Sequence, residues 1–160
     1  MTTMQKISPF LWFEAEAEEA AGFYVSLFED SEVTEIARYP EGAPGPTGEV
    51  MTVSFRLAGQ GFMALNGGPQ YTFSQAISFY VHCDDQAEVD RLWDRLADGG
   101  EPQQCGWIVD RFGVTWQIVP DALNGFLSDP DPGRAQRAMQ AMLQMVKIDV
   151  GELQRAADGV

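Results

Sequence analysis

The sequence of 160 residues predicts an α+β protein made of two tandem βαβββ modules, which form a cupped, mixed or antiparallel sheet, followed by a C-terminal helix. Three observations support this prediction. The same order of strand-like and helix-like patterns occurs twice along the chain. The helix of each copy has its apolar residues at the same four relative positions. A further apolar stripe with helical spacing follows the second copy and has no counterpart in the first.

The first copy combines one helix with four strand-like runs. The helix, predicted over 16–28, has apolar residues at positions i, i+3, i+4 and i+7: Ala20, Phe23, Tyr24 and Leu27. Glutamates concentrate near its start, where the helix dipole stabilises carboxylates. The strand-like runs are 7–13, 31–39, 50–57 and 62–66.

The second copy repeats this order. Its helix, predicted over 86–97, has the same stripe in Val89, Leu92, Trp93 and Leu96. Asp84 and Asp85 precede the helix, and two glycines follow it, as is typical of helix ends. The strand-like runs are 76–83, 103–105, 106–110 and 114–120.

The two copies differ in length between the helix and the last hairpin. The helix stripes are offset by 69 residues (Ala20 to Val89), whereas the hairpin glycines are offset by 52 (Gly61 to Gly113). The first copy is therefore longer by 17 residues in this interval. The segment 39–48, YPEGAPGPTG, has no periodicity and three prolines, so it is interpreted as the loop that holds the additional residues.

The chain changes character after the second copy. A turn-rich connector leads to a stripe that predicts a helix at about 134–146: Ala135, Ala138, Met139, Met142, Leu143 and Val146. This stripe exposes more apolar surface than a lone helix leaves in water, which predicts a homodimer with the helix at or near the subunit boundary. The modules at about 5–68 and 74–120, with the tail 121–160, are interpreted as one domain over 1–160.

Composition excludes several classes of function. The chain has 24 acidic and 10 basic residues, a formal net charge of −14, which predicts no binding to nucleic acid or to anionic membranes. It has no apolar run long enough to span a bilayer. The start, MTTMQKISPF, lacks the features of a signal peptide, and two cysteines make no disulfide framework. A cytoplasmic protein with free thiols is therefore predicted.

Several blocks of the sequence carry a resemblance to a known family. They are ISPFLWF, EAEEAAGFYVSLF, AISFYVHCDDQAEVDRLWDRLADGG, QCGWIVDRFGVTWQIVP and AMLQMVKIDVGEL, which together span nearly the whole chain. The chain resembles the PhnB-like subfamily, often labelled 3-demethylubiquinone-9 3-methyltransferase-like. That subfamily belongs to the vicinal oxygen chelate superfamily, which includes glyoxalase I and the bleomycin resistance proteins. The sequence does not support methyl transfer, because it lacks a βαβ unit with a glycine-rich turn for a methyl donor.

The resemblance also implies where a metal would bind. Metal-dependent members of the superfamily place one ligand in the first strand and one in the last strand of each module. The corresponding positions here are Ser8 or Pro9, Leu65, Ala76 and Gln117. This set is poor in donor groups, and the chain has only one histidine, so no metal and no cofactor is predicted.

The candidate ligand-binding residues follow from the alternation of side chains along the strands. If Ala76 faces the inside of the cup, Ser78, Tyr80 and His82 do so as well. With Leu65, Thr115 and Gln117 they form a mixed polar and apolar surface, as in small-molecule pockets, although a sheet face wetted by solvent would have the same composition. Trp12, Cys105 and Trp107 complete the predicted site.

Three functions remain open at this stage. The first is a metal-independent protein of the glyoxalase/bleomycin resistance type that binds a small organic molecule. The second is an enzyme of the superfamily, of the lyase, isomerase or oxygenase type, either metal-dependent or using His82 as a general base with Tyr80. The third is a structural or interaction module whose cup is filled by its own side chains.

Overall fold

The computed structural model describes residues 5–160. The prediction drawn from the N-terminal sequence rests partly on residues 1–4, which lie outside that range. By its internal contacts the chain divides into two compact units, the first ending at Phe73 and the second covering Ser74–Val160. Every helix within residues 5–160 is too short or too polar to span a bilayer.

The first unit is a βαβββ module with a four-stranded sheet in the order β1-β4-β3-β2. Strand β1 is parallel to β4, and the other neighbours are antiparallel. Helix α1 is shorter at both ends than the predicted 16–28. The elements are β1 (Phe10–Phe13), α1 (Ala17–Val25), β2 (Glu32–Arg38), β3 (Val50–Leu57) and β4 (Gln60–Asn66).

Helix α1 covers one face of the first sheet and leaves residues with large side chains on the other. Ala17, Ala20 and Ala21 are fully buried, and their small side chains allow the helix to lie close to the strands. The opposite face includes Phe10 and Trp12, which are paired in register with Met63 and Leu65. This face is therefore the one available to a ligand in the first unit.

The second unit begins with a module of the same topology, in the order β5-β8-β7-β6, so the predicted duplication is confirmed. Helix α2 has the predicted bounds, its four stripe residues are buried, and the Asp85 side chain accepts from the backbone N–H of Glu88 as an N-cap. The elements are β5 (Phe79–Cys83), α2 (Gln86–Ala97), β6 (Glu101–Pro102), β7 (Trp107–Val109) and β8 (Thr115–Pro120).

Two strands of the second module differ from the prediction. Strand β5 begins at Phe79 rather than at residue 76, because the chain turns at 75–76. The strand expected at 103–105 is wrong, since β6 lies at Glu101–Pro102 and Cys105 belongs to a turn. Cys105 has a φ of 59° and Gly106 a φ of 83°, a left-handed backbone that cannot continue a strand.

The C-terminal segment forms three helices: α3 (Ala122–Leu127), α4 (Pro132–Leu143) and α5 (Val150–Asp158). The predicted helix corresponds to α4, whereas α3 and α5 were not predicted. They pack with the end of β8 in one apolar cluster of Val119, Leu123, Ala138, Met145, Ile148, Leu153 and Ala157. The predicted stripe is divided, because Ala138 is buried while Met139, Leu143 and Val146 stay 40%, 52% and 40% exposed.

Candidate functional site

The first unit contains an open cleft of about 930 Å³. It lies between the end of β1, the start of α1, the loop after β2 and the end of β4. Trp12 and Leu65, two of the predicted ligand-binding residues, line it together. The other lining residues are Glu14, Ala15, Glu18, Glu19, Tyr39, Pro44, Gly45, Pro46, Glu49, Val50, Met51, Asn66, Gly67, Gly68 and Gln70.

Two aromatic walls of the cleft are fixed by hydrogen bonds and by glycines. The indole N–H of Trp12 donates to the Gly68 carbonyl at 3.0 Å, and the Tyr39 hydroxyl donates to the Asn66 carbonyl. A Cβ at position 67 would lie 2.4 Å from the Trp12 ring, and one at Gly45 would lie 2.3 Å from the Tyr39 ring. Both rings therefore need glycine backbone beside them in order to occupy these positions.

Asn66 links the segments that surround the cleft. Its side-chain oxygen accepts from the backbone N–H of Ala17 at 2.8 Å, which satisfies a free donor at the start of α1. Its side-chain nitrogen donates to the Val50 carbonyl at 3.2 Å. With the bond from Tyr39, one residue connects α1, β3 and the loop after β2, so the cleft is held in shape by contacts distant in sequence.

The floor of the cleft is apolar and its rim is acidic. Leu65 lies at the position where the resemblance would place a metal ligand, and Val50 and Met51 extend the apolar surface. The rim carries the exposed carboxylates of Glu14, Glu18, Glu19 and Glu49. No lysine, arginine or histidine of residues 5–160 lines the cleft. The Arg38 side chain lies beside it and donates to the Gly48 carbonyl at 3.2 Å.

A second group of predicted residues lies together on the face of the second sheet opposite α2. The Gln117 side-chain N–H donates to the Ser78 hydroxyl at 2.9 Å. Tyr80 of β5 and Trp107 of β7 are both in register with Gln117, so they flank it on the same face. Four of the predicted residues thus form one polar and aromatic cluster, which we call the Gln117 cluster.

His82 lies beside this cluster at the end of β5. Its ring centre is 4.8 Å from that of Tyr80, and its Nδ1 is 3.4 Å from a carboxylate oxygen of Asp121. The side chains of His82 and Asp121 are 69% and 54% exposed. An N–H at Nδ1 can donate to this carboxylate, which orients the ring. Sequence reasoning did not identify Asp121, although it directly follows the last strand.

Thr115 and the two cysteines have surroundings of other kinds. Thr115 is 2% exposed, and its hydroxyl has no hydrogen-bond partner within residues 5–160. Cys105 was expected near the cup, but its thiol donates to the Met142 carbonyl at 3.5 Å. Its backbone N–H donates to the Met145 carbonyl. Cys105 is therefore held against the C-terminal segment. Burial raises the pKa of Cys83 to about 12, so that thiol stays protonated and unreactive.

The residues at the superfamily's metal positions do not fit a divalent metal ion. Leu65 is an apolar wall, Ala76 has no donor, and the Gln117 nitrogen is engaged by Ser78. Within residues 5–160 no three His, Cys, Asp or Glu side chains are grouped so that they could hold one ion. Metal independence therefore stays a prediction.

The topology and the comparisons define the class of protein. The chain has two consecutive βαβββ modules, and in each of them the first strand pairs in parallel with the last. This is the fold of the vicinal oxygen chelate class, which includes the glyoxalase/bleomycin resistance proteins. The chain belongs to the family described as 3-demethylubiquinone-9 3-methyltransferase, whose profile matches residues 5–119. No curated protein matches the chain.

Solved structures agree with this assignment. A putative 3-demethylubiquinone-9 3-methyltransferase, a PhnB protein from Bacillus cereus, is 40% identical, with a TM-score of 0.67 over 72% of this chain and 99% of that one. Protein PA1353 from Pseudomonas aeruginosa is 23% identical, with a TM-score of 0.61 over 73% and 98% of the two chains. The second similarity concerns the fold alone.

Proposed function

We propose that this chain is a metal-independent small-molecule-binding protein of the glyoxalase/bleomycin resistance type. The observation that carries the proposal is the cleft of the first unit. Its volume of about 930 Å³ is in the range of small-molecule sites, and its apolar floor lies beside two aromatic side chains whose polar atoms are already bonded. Walls fixed before binding reduce the entropy that a ligand must overcome.

The Gln117 cluster supports the same proposal in the second unit. The Gln117 side-chain oxygen has no hydrogen-bond partner within residues 5–160, while its nitrogen is held by Ser78. The amide is therefore oriented and has an acceptor available for a ligand. Tyr80 and Trp107 beside it offer aromatic surface.

The proposal includes one domain, a homodimer and a cytoplasmic location. The exposed residues Met139, Leu143 and Val146 form an apolar stripe on and after α4 that a second copy of the chain would cover. Leu143→Glu would then shift the protein from dimer to monomer in light scattering. A wild-type chain that is monomeric at micromolar concentration would contradict the dimer. The charge of −14 argues against nucleic acid and membranes as partners.

An acid–base enzyme is the alternative, and one contact favours it. Asp121 lies 3.4 Å from Nδ1 of His82, next to the Tyr80 ring, so His82 has an orienting carboxylate and a neighbouring hydroxyl. We do not propose methyl transfer. The turns between strand and helix, 14–16 and 84–85, contain no glycine, so neither module offers a glycine-rich turn for a methyl donor.

A ligand screen in the presence of a chelator tests the proposal. Thermal stability would be measured with neutral, cationic and anionic organic molecules in EDTA, and the binders mapped by ¹H–¹⁵N NMR. We expect binders that perturb the Trp12 indole and the Asn66 amide. Absence of any binder in EDTA, or binding that returns only with a divalent metal, would contradict the proposal. Turnover of a bound compound that is lost in His82→Gln would favour the enzyme instead.

A further inference from the structure

We infer that the cleft of the first unit takes an organic cation, that is, an ammonium or guanidinium group on an apolar or aromatic body. This inference rests on the proposed function and names the chemical class of its ligand. It is carried by three features of one cavity: its aromatic walls, the sign of its charge, and the spacing of its carboxylates.

The charged residues that line the cleft are all negative. Four glutamates lie on its rim, and none of them forms an ion pair within residues 5–160. Arg56, Arg134, Lys147 and Arg155 form ion pairs with other acidic residues, and the Arg38 side chain donates to the Gly48 carbonyl. A concave surface lined by one sign of charge concentrates ions of the opposite sign, so the cleft attracts cations.

The aromatic walls add an attraction that is specific for organic cations. The Trp12 and Tyr39 rings both line the cleft, and Tyr71 makes an edge contact with Trp12 at 4.9 Å between ring centres. Ammonium and guanidinium groups bind to indole and phenol rings by cation–π attraction, and the carbon body of the ligand gains from the same apolar surface. An inorganic cation is more strongly hydrated and has no apolar body, so it would gain less from these rings and nothing from Leu65.

The spacing of the carboxylates argues against a metal ion as the occupant. A calcium or magnesium site needs several oxygen ligands converging on one point. Within residues 5–160 no three carboxylates are close enough for that. The glutamates that line the cleft instead come from two segments of the chain: Glu14, Glu18 and Glu19 before and in the first turn of α1, and Glu49 directly before β3. Such a distribution suits a charge attached to a molecule of several ångströms.

The first test compares three probes of similar size and different charge. Benzyltrimethylammonium, benzyl alcohol and benzoate would be titrated into ¹⁵N-labelled protein in EDTA at low ionic strength. We expect the cation to bind at least about tenfold more tightly than the alcohol, with benzoate the weakest. The shifts should lie at Trp12, Gly67 and Gly68, and higher salt should weaken the binding.

A matched pair of double variants separates the cleft from the overall charge. Glu18→Gln with Glu49→Gln removes two carboxylates from the cleft. Glu16→Gln with Glu41→Gln removes two from the neighbouring positions that do not line it, so the net charge of the two proteins is the same. The first pair should weaken benzyltrimethylammonium binding about tenfold, and the second should leave it unchanged.

Each remaining outcome decides the inference. Binding of benzyl alcohol or benzoate at the cleft as tight as that of the cation would overturn it, while the proposed function would stand. An equal loss in both double variants would also overturn it, because only the overall charge would be acting. In a parallel titration without EDTA, displacement of the probe by an equal concentration of calcium would overturn the inference in favour of a metal site. If no organic molecule of any charge binds the cleft, the inference fails; if none binds anywhere on the protein, the proposed function fails as well.

Discussion

The two modules share one topology and differ in the segments added to it. In the first module the additional chain lies inside the repeat, as the loop 39–48, and it supplies Tyr39 and Gly45 to the wall of the cleft. In the second the additional chain follows the repeat, where three helices pack against the end of β8. The repeated core therefore provides the scaffold, and the segments outside the repeat make the two copies chemically different.

The additions also lead to different surfaces. The first module has a cleft with four carboxylates and no basic group, within the described residues. The second has the uncharged Gln117 cluster with His82 and Asp121 at its margin. Each copy of a duplicated fold can therefore acquire its own binding surface, because sequence changes in the loops leave the buried helix stripes intact.

The largest expected effect tests whether the two cores are equivalent. Leu27 and Leu96 end the matching stripes, and both are fully buried. Leu27→Ala and Leu96→Ala should each lower the free energy of unfolding by about 2–5 kcal/mol, since each leaves a cavity in a packed core. Chemical denaturation measures both values. A loss in one copy only would show that the modules do not contribute equally.

The next effect concerns the Trp12 wall of the cleft in the first module. Gly67→Ala places a Cβ 2.4 Å from the Trp12 ring, whose N–H is held by Gly68, so we expect a loss of about 1–3 kcal/mol and weaker ligand binding. Gly22 in α1 has nothing within 4 Å of an added Cβ.

Gly22→Ala is the matched control in the same module. It should stabilise the protein by about 0.5–1 kcal/mol through helix propensity and leave binding unchanged. Thermal unfolding and the probe titration measure both quantities. Wild-type stability and binding in Gly67→Ala would show that Trp12 can move at little cost.

The smallest effect belongs to the C-terminal helices of the second unit. Two hydrogen bonds hold the pKa of Asp129 below its ordinary 3.8, the larger effect coming from the Asp131 backbone N–H and the smaller from Arg134. The hydrogen bond from Arg134 also lowers the pKa of Asp158. Because these folded-state pKa values are lowered, the stabilisation is present above 3.8 and is lost as the pH falls through the lower values. Arg134→Gln should therefore lower Tm slightly at neutral pH, and the difference should close in acid.

Arg38→Gln in the first module is the control for this pH dependence. The Arg38 side chain donates to the Gly48 carbonyl at 3.2 Å, and a carbonyl does not titrate. Its effect on Tm should therefore be the same at both pH values. A difference for Arg134→Gln that persists unchanged below the folded pKa values would mean that packing, and not the ion pairs, is responsible.

Periodicity in the sequence alone was sufficient to predict the duplicated modules, the bounds of α2 and the face on which Ser78, Tyr80 and Gln117 meet. These features are local, because apolar residues that repeat every third or fourth position form a helix stripe wherever the chain lies. Alternation along β5 and β8 in the same way assigns each side chain to a face. The helices α3 and α5 were missed because they have only six and nine residues, too few for an apolar stripe that repeats over several turns.

The cleft and the His82–Asp121 contact were decided only by the tertiary structure. Trp12 becomes a wall because it donates to the Gly68 carbonyl, 56 residues away in the chain. Tyr39 does so because it donates to the Asn66 carbonyl, 27 residues away. Asp121 reaches His82 because β8 pairs in parallel with β5. The backbone N–H of Asp121, directly after β8, then donates to the Cys83 carbonyl at the end of β5. Such contacts depend on where strands and loops meet in space, and no spacing along the chain encodes that meeting directly.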